Sequence, residues 1–317
     1  MRNTSLFALV AAMLACTLFA APALAQRDRV FVASYGSDSN PCTFGSPCKT
    51  FQQAINVVAA GGEVTAIDSA GFGPIAISHA ITITSPNGVE AGIAVAAGTT
   101  GITINAGPSD VVSLHGLTLE GAGAGQSGII FNAGARLEII DSVVQNFADT
   151  GIFVDPAANM TLLISNTRVL DNPNSAGIEI APQTSSVVLA SIDHVTIENN
   201  NYGIYLDGSA HDAIIEAVIT NSIVSSNANT GVAVFISNPI NFGSLATIKD
   251  TTLSHNVSNG VSTSGSGSEI LLSHVMIEGS HTGINIGSGT IISSAGNNDI
   301  FDTATPVSGT LSAAPEQ

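Results

Sequence analysis

A glycine followed by a β-branched residue, any residue and an apolar residue, replaced by Thr263 in one case, recurs at Gly128-Ile129, Gly151-Ile152, Gly177-Ile178, Gly203-Ile204, Gly231-Val232, Gly260-Val261 and Gly283-Ile284. The steps run from 23 to 29 residues and average about 26, and a period of that length marks a solenoid whose repeats bury their apolar faces against one another. Each repeat holds two further strand-like runs, at residues 137–140, 161–164, 187–189, 213–215, 245–248 and 270–272, and at 143–144, 169–170, 195–197, 223–224, 252–253 and 275–277. Three short strands joined by Asn, Asp, Ser and Gly corners fit one rung of a parallel β-helix. A leucine-rich repeat needs a Leu-x-x-Leu-x-Leu frame and a shorter period, and a propeller carries Trp-Asp or Gly-aromatic signatures, whereas this chain has no Trp.

Corner residues also recur in columns. Asp141, Asn166, Asp193, Asn221 and Asp250 precede the third run of each repeat, and Asn146, Asn172, Asn200, Asn227 and Asn256 follow it. Stacked Asn side chains bond along the ladder and tolerate a left-handed backbone, so these columns are expected to be structural. The coil is expected from Gly62, with irregular early rungs at 63–67, 81–84, 93–95 and 102–104. About nine rungs spaced by about 4.8 Å make a rod about 45 Å long. Its N-terminal end needs a cap. Residues 50–58 supply a helix with Thr50 and Gln53 at capping-box spacing, Phe51, Ala54, Ile55 and Val58 in one apolar stripe, and Gly61-Gly62 to stop it. The expected organisation is a signal peptide at 1–25, an N-terminal strand, disulfide loop and capping helix at 26–61, a parallel β-helix at 62–305 and a flexible tail at 306–317.

Charge narrows the partners. The chain has 24 acidic and 7 basic residues, a net charge of −17, and phosphate neutralisation needs clustered Lys and Arg, so nucleic acid is not an expected partner. Arg2, an apolar run from Leu6 to Ala21 and Ala23-Leu24-Ala25 describe a secretory signal peptide, with a lipid-attachment box at Leu14-Ala15-Cys16 as the alternative. No later run is long enough to span a membrane, and an exported location, periplasmic or secreted, is expected. Cys42 and Cys48 then remain as a pair in a loop shaped by Pro41 and Pro47. An oxidising compartment favours a disulfide, and neither His nor further Cys lies nearby at metal-ligand spacing.

Val30-Phe-Val-Ala-Ser-Tyr-Gly-Ser-Asp-Ser-Asn-Pro-Cys42, followed by Ser46-Pro-Cys-Lys-Thr-Phe-Gln-Gln-Ala-Ile55, resembles the N-terminal motif of exported bacterial proteins of the pectin-lyase-like right-handed parallel β-helix family. With the repeats, the resemblance covers most of the chain beyond the signal. It implies the right-handed all-β solenoid and is strongest to uncharacterised members with a paired-Cys loop. The family includes pectate lyases, polygalacturonases and uronate epimerases, but its catalytic signatures do not carry over. No Asn-Thr-Asp, Asp-Asp, Gly-His-Gly or Arg-x-Lys segment occurs here. No counterpart of the lyases' calcium-binding Asp cluster beside a base stands out, and Arg136 and Arg168 are the only Arg residues inside the coil.

Alternation along a strand places the residue after each repeated Gly inward and the next outward. The outward column is Ile130, Phe153, Glu179, Tyr205, Ala233, Ser262 and Asn285, and two residues on it is Asn132, Asp155, Ala181, Asp207, Phe235, Ser264 and Gly287. In the middle rungs two aromatics flank a carboxylate, with further carboxylates beside them. Rings stack on sugar faces and carboxylates accept sugar hydroxyls, so Phe153, Asp155, Glu179, Tyr205 and Asp207, with His211 in the following loop, form the candidate saccharide-binding set. Asp155, Glu179 and Asp207 are the candidate catalytic groups. Asp155 and Asp207 sit two rungs apart, roughly 9–10 Å at sheet spacing, near the separation of carboxylates in inverting glycosidases. Neighbouring carboxylates can also share calcium, although no motif calls for a metal or other cofactor. His115, His194 and His274 read as corner residues, and His79, His255 and His281 share no metal spacing. Two classes of function stay open: a protein that binds or acts on polysaccharide, as a lyase or hydrolase if it is an enzyme, and a non-enzymatic structural or adhesin-like rod.

Overall fold

The computed structural model describes residues 27–183, 185–210, 213–236 and 243–314. The expected signal peptide and His211 lie outside them. Short strands stack in parallel into three sheets of 12, 10 and 10 strands. The chain visits the sheets in rotation: Met160–Ser165 lies in the first, Arg168–Leu170 in the second, Ala176–Ile180 in the third, and Val187–Asp193 returns to the first. The result is the expected all-β parallel solenoid of about nine turns, its first rung abbreviated to the two-residue strand Ala70–Gly71 in the second sheet.

The core is a set of axial stacks. Ile129, Ile152, Ile178, Ile204, Val232, Val261 and Ile284 pair in register from rung to rung of the third sheet and are buried. Each such side chain contributes about 1.5–3 kcal/mol by leaving water. The glycine before each is required by space. A Cβ on Gly203 would lie 2.5 Å from the Gly231 carbonyl oxygen and 2.3 Å from Val224 Cγ1, and one on Gly151 would lie 2.7 Å from the Gly177 oxygen. The third sheet therefore meets the next rung's backbone and the second sheet's side chains too closely for any other residue.

Single left-handed residues turn the corners. Asp141, Asn166, His194, Asn221, Asp250 and His274 follow the first sheet with φ between 47° and 53°, and Asn146, Asp171, Asn199, Ser226 and His255 follow the second with φ between 54° and 60°. Two column assignments shift by one residue. His194, not Asp193, occupies the first corner, while Asp193 ends its strand and its Oδ2 bonds His194 Nδ1 at 2.6 Å. Asn146 is a corner residue, and Phe147 takes the position in line with Asn172.

That line is a buried asparagine ladder. The backbone N–H and Nδ2 of Asn172 both donate to Asn200 Oδ1, those of Asn200 to Asn227 Oδ1, and those of Asn227 to Asn256 Oδ1, at 2.8–3.2 Å. Ser280 stands next in line, buried, with its Oγ unpartnered. Asparagine there would accept the two Asn256 donors, so Ser280→Asn is expected to add about 1 kcal/mol. A thermal melt that stays flat or falls would contradict that extension.

The cap is shorter than expected. Helix α1 spans Phe51–Val57, with Thr50 Oγ1 accepting from Gln53 N–H and with Phe51, Ala54 and Ile55 buried. Phe51 packs on Phe72, ring centroids 4.8 Å apart. Gly61 and Gly62 do not end it. Val58 is already extended, and both glycines lie inside the strand Val58–Ala66, which pairs with Arg27–Val32 across a register shift. Two adjacent β-branched valines and an available partner strand end the helix before the glycines can. Just outside the helix, Cys42 and Cys48 form a buried disulfide. At the far end, pairing continues past residue 305 through Thr305–Ser308 and Ser312–Ala313, so strand pairing reaches into the expected tail.

Candidate functional site

The third sheet brings the candidate residues together because its strands stack in register. Phe153 pairs with Glu179, Glu179 with Tyr205, and Tyr205 with Ala233. The Phe153, Glu179 and Tyr205 side chains are half-buried on the outer face, whereas Ala233 is buried. Asp207 lies two residues further along its strand, in register with Phe235, and Asp155 lies just past the end of the strand Ile152–Val154. His211 falls outside the described residues.

Glu179 is perturbed by its surroundings. Burial holds its carboxyl above the usual carboxylate range, and the nearby charges of Asp207 and Asp149 push the same way. The hydroxyls of Ser175 and Thr150 oppose this by donating to Oε2 at 3.3 and 3.4 Å. Burial also raises Asp155, against a bond from Gln183 Nε2 to Oδ2 at 3.2 Å. Tyr205 holds its proton more tightly than a free phenol, first through burial and then through Asp207, Tyr202 and Glu179. Asp207 Oδ1 accepts from Ser209 N–H at 2.9 Å.

A raised carboxyl means that the ionised form costs the folded state stability above its titration. Glu179→Gln is therefore expected to keep or raise the unfolding free energy at neutral pH, by about 1 kcal/mol at most. The difference should close as pH falls and wild-type Glu179 takes up its proton. A gap that does not change with pH would contradict the burial account.

One residue was missed by strict alternation. Tyr202 stacks on Tyr205, with centroids 5.1 Å apart and rings 25° from parallel. Gly203 and Ile204 are both buried, so the inward–outward pattern slips at the glycine and returns both tyrosines to one side. The Tyr-x-x-Tyr spacing around a repeated glycine was the signal available. Thr150, Ser175 and Gln183, which hold the carboxylates, come from corners and carry no comparable pattern.

Other candidates are placed elsewhere. Arg136 pairs with Glu138 at 2.7 Å on the first sheet, and Arg168 lies on the second. Arg168 lines a polar groove of about 520 Å³ with Asp141, Asn166 and His194. Among the described residues no group of three or more His, Cys, Asp or Glu side chains is placed to hold a metal ion. Among the same residues no helix is long and apolar enough to cross a membrane.

A family model described as "Right handed beta helix region" matches residues 75–216. The fold is similar to that of a structure titled "Crystal structure of pectate lyase Pel9A", at 14% identity over 92% of this chain and 80% of that one, with a TM-score of 0.64. It is also similar to a structure titled "Rhamnogalacturonan lyase", at 12% identity over 83% of this chain and 84% of that one, with a TM-score of 0.56. No curated protein matches the sequence. Rotating sheets, in-register rungs and these likenesses agree on one architecture: the chain folds as a right-handed parallel β-helix.

Proposed function

We propose that this protein binds polysaccharide across the outer face of the third sheet in its middle rungs. The observation that carries the reading is the ladder Phe153, Glu179, Tyr205, in which a half-buried carboxylate lies between two rings on adjacent rungs. The Tyr202–Tyr205 stack orients one ring before any ligand arrives, and a fixed aromatic face suits the C–H face of a pyranose. Glu179, Asp155 and Asp207 accept sugar hydroxyls as charge-assisted bonds. Rungs repeat at about 4.8 Å, a spacing of the same order as a sugar ring, so successive rungs meet successive residues of one polymer strand. Two proteins of similar fold are named as lyases of pectate and rhamnogalacturonan, which makes a glycan the first ligand class to test. The Cys42–Cys48 disulfide supports work in an oxidising, exported compartment.

The test is affinity electrophoresis of the full chain in gels that contain soluble polysaccharides. Tyr205→Ala is expected to weaken retardation about tenfold through loss of the stacking ring, and Tyr205→Phe to retain most of it. Unchanged retardation in Tyr205→Ala would move the site off this face.

A further inference from the structure

Charge on the face selects among glycans. Glu179 lies close enough to Asp207 and Asp149 for their charges to act on it, and Asp155 sits two residues beyond the Phe153 ring. The described partners of these carboxylates are neutral: Ser175 and Thr150 for Glu179, Gln183 for Asp155, and the Ser209 N–H for Asp207.

The lysine and arginine side chains among the described residues all lie elsewhere. The chain has 7 Lys and Arg residues, of which Arg2 precedes the described residues. Arg27, Arg29 and Lys49 are at the N-terminal end of the coil, Arg136 is paired with Glu138 on the first sheet, and Arg168 lies on the second. Lys249 ends a first-sheet strand beside Asp250. Among the described residues, none of them stands on the third sheet.

We infer that this face takes an uncharged, hydroxyl-rich glycan and rejects a polyuronate, an inference that rests on the glycan-binding reading above. An uncharged chain satisfies both kinds of group present. Its hydroxyls donate to Glu179, Asp155 and Asp207, and its C–H faces cover Phe153 and Tyr205. A uronate would bring a carboxylate into a field that is negative already, at a partly desolvated position where water screens little, with no guanidinium or ammonium among the described residues of this sheet to receive it. The bias is opposite to the substrate classes in the names of the two similar folds.

The experiment compares hydroxyethyl cellulose, xyloglucan and galactan with polygalacturonate in native affinity gels at neutral pH, each with calcium chloride or with EDTA. At least one neutral polymer is expected to retard the wild-type chain, with polygalacturonate at least tenfold weaker in either condition. Asp207→Lys should narrow that gap, and Tyr205→Ala should weaken neutral retardation about tenfold in protein whose circular dichroism still reports an intact coil. Polygalacturonate retardation as strong as the neutral polymers', and weakened in Tyr205→Ala, would overturn the inference while leaving the face as a glycan site. No retardation by any polymer, or retardation indifferent to Tyr205→Ala, would remove the face and the inference together.

Discussion

Asn200→Ala is expected to lower the unfolding free energy by about 3–5 kcal/mol, although it deletes only a few atoms. Asn200 Oδ1 accepts the N–H and Nδ2 of Asn172, at 3.2 and 2.8 Å, and its own Nδ2 donates to Asn227 Oδ1 and the Glu198 carbonyl, both at 3.0 Å. Alanine leaves two buried donors on Asn172 and acceptors on the other side without partners, and each orphan costs about 1–3 kcal/mol. Asn199→Ala, one residue earlier, removes an exposed bond to Asp171 at 3.0 Å and puts alanine at a left-handed corner, and should cost about 1–2 kcal/mol. Chemical denaturation of the two variants measures the contrast. Equal losses would mean that the ladder is not a principal support of the coil.

Gly203→Ala should be nearly as damaging, at about 2–4 kcal/mol, for the opposite reason that it adds an atom. Its Cβ would meet Gly231 O at 2.5 Å, Val224 Cγ1 at 2.3 Å and Asn227 Nδ2 at 3.0 Å. Backbone that is pinned by in-register pairing cannot retreat without breaking the ladder above it. Gly71 provides the control. It lies in the two-residue strand Ala70–Gly71, and a Cβ added there would meet nothing within 4 Å. Gly71→Ala should therefore be neutral or stabilise by up to about 1 kcal/mol through the unfolded chain. A harmless Gly203→Ala would show that adjacent rungs can move apart.

The repeated Gly-Ile and Gly-Val pairs made the coil legible because inward and outward positions alternate within a strand and repeat from rung to rung. Phe153, Glu179 and Tyr205 could therefore be placed side by side from their spacing alone. What the spacing could not show was why glycine recurs, because the obstacle to a side chain is the carbonyl of a residue about 26 positions away. Corner columns were displaced by one at Asn146 and Asp193 because Asn, Asp and His all tolerate the left-handed corner and also serve as ladder partners. The helix end was misplaced because Gly61-Gly62 carries a stop signal that Val58 pre-empts by joining a sheet. Tyr202 was missed because alternation fails locally at Gly203. In the site, then, the ladder neighbours could be read and the supporting corner residues could not.

The asparagine ladder has a direction. Every link runs from the N–H and Nδ2 of one rung to the Oδ1 of the rung synthesised after it. Across these rungs, a chain that wound from its N-terminus would end, while incomplete, in a pair of hydrogen-bond donors awaiting an acceptor that has not yet arrived. The growing tip is a template with a fixed polarity, and vectorial emergence of the chain presents its acceptors in the order in which the tip can capture them.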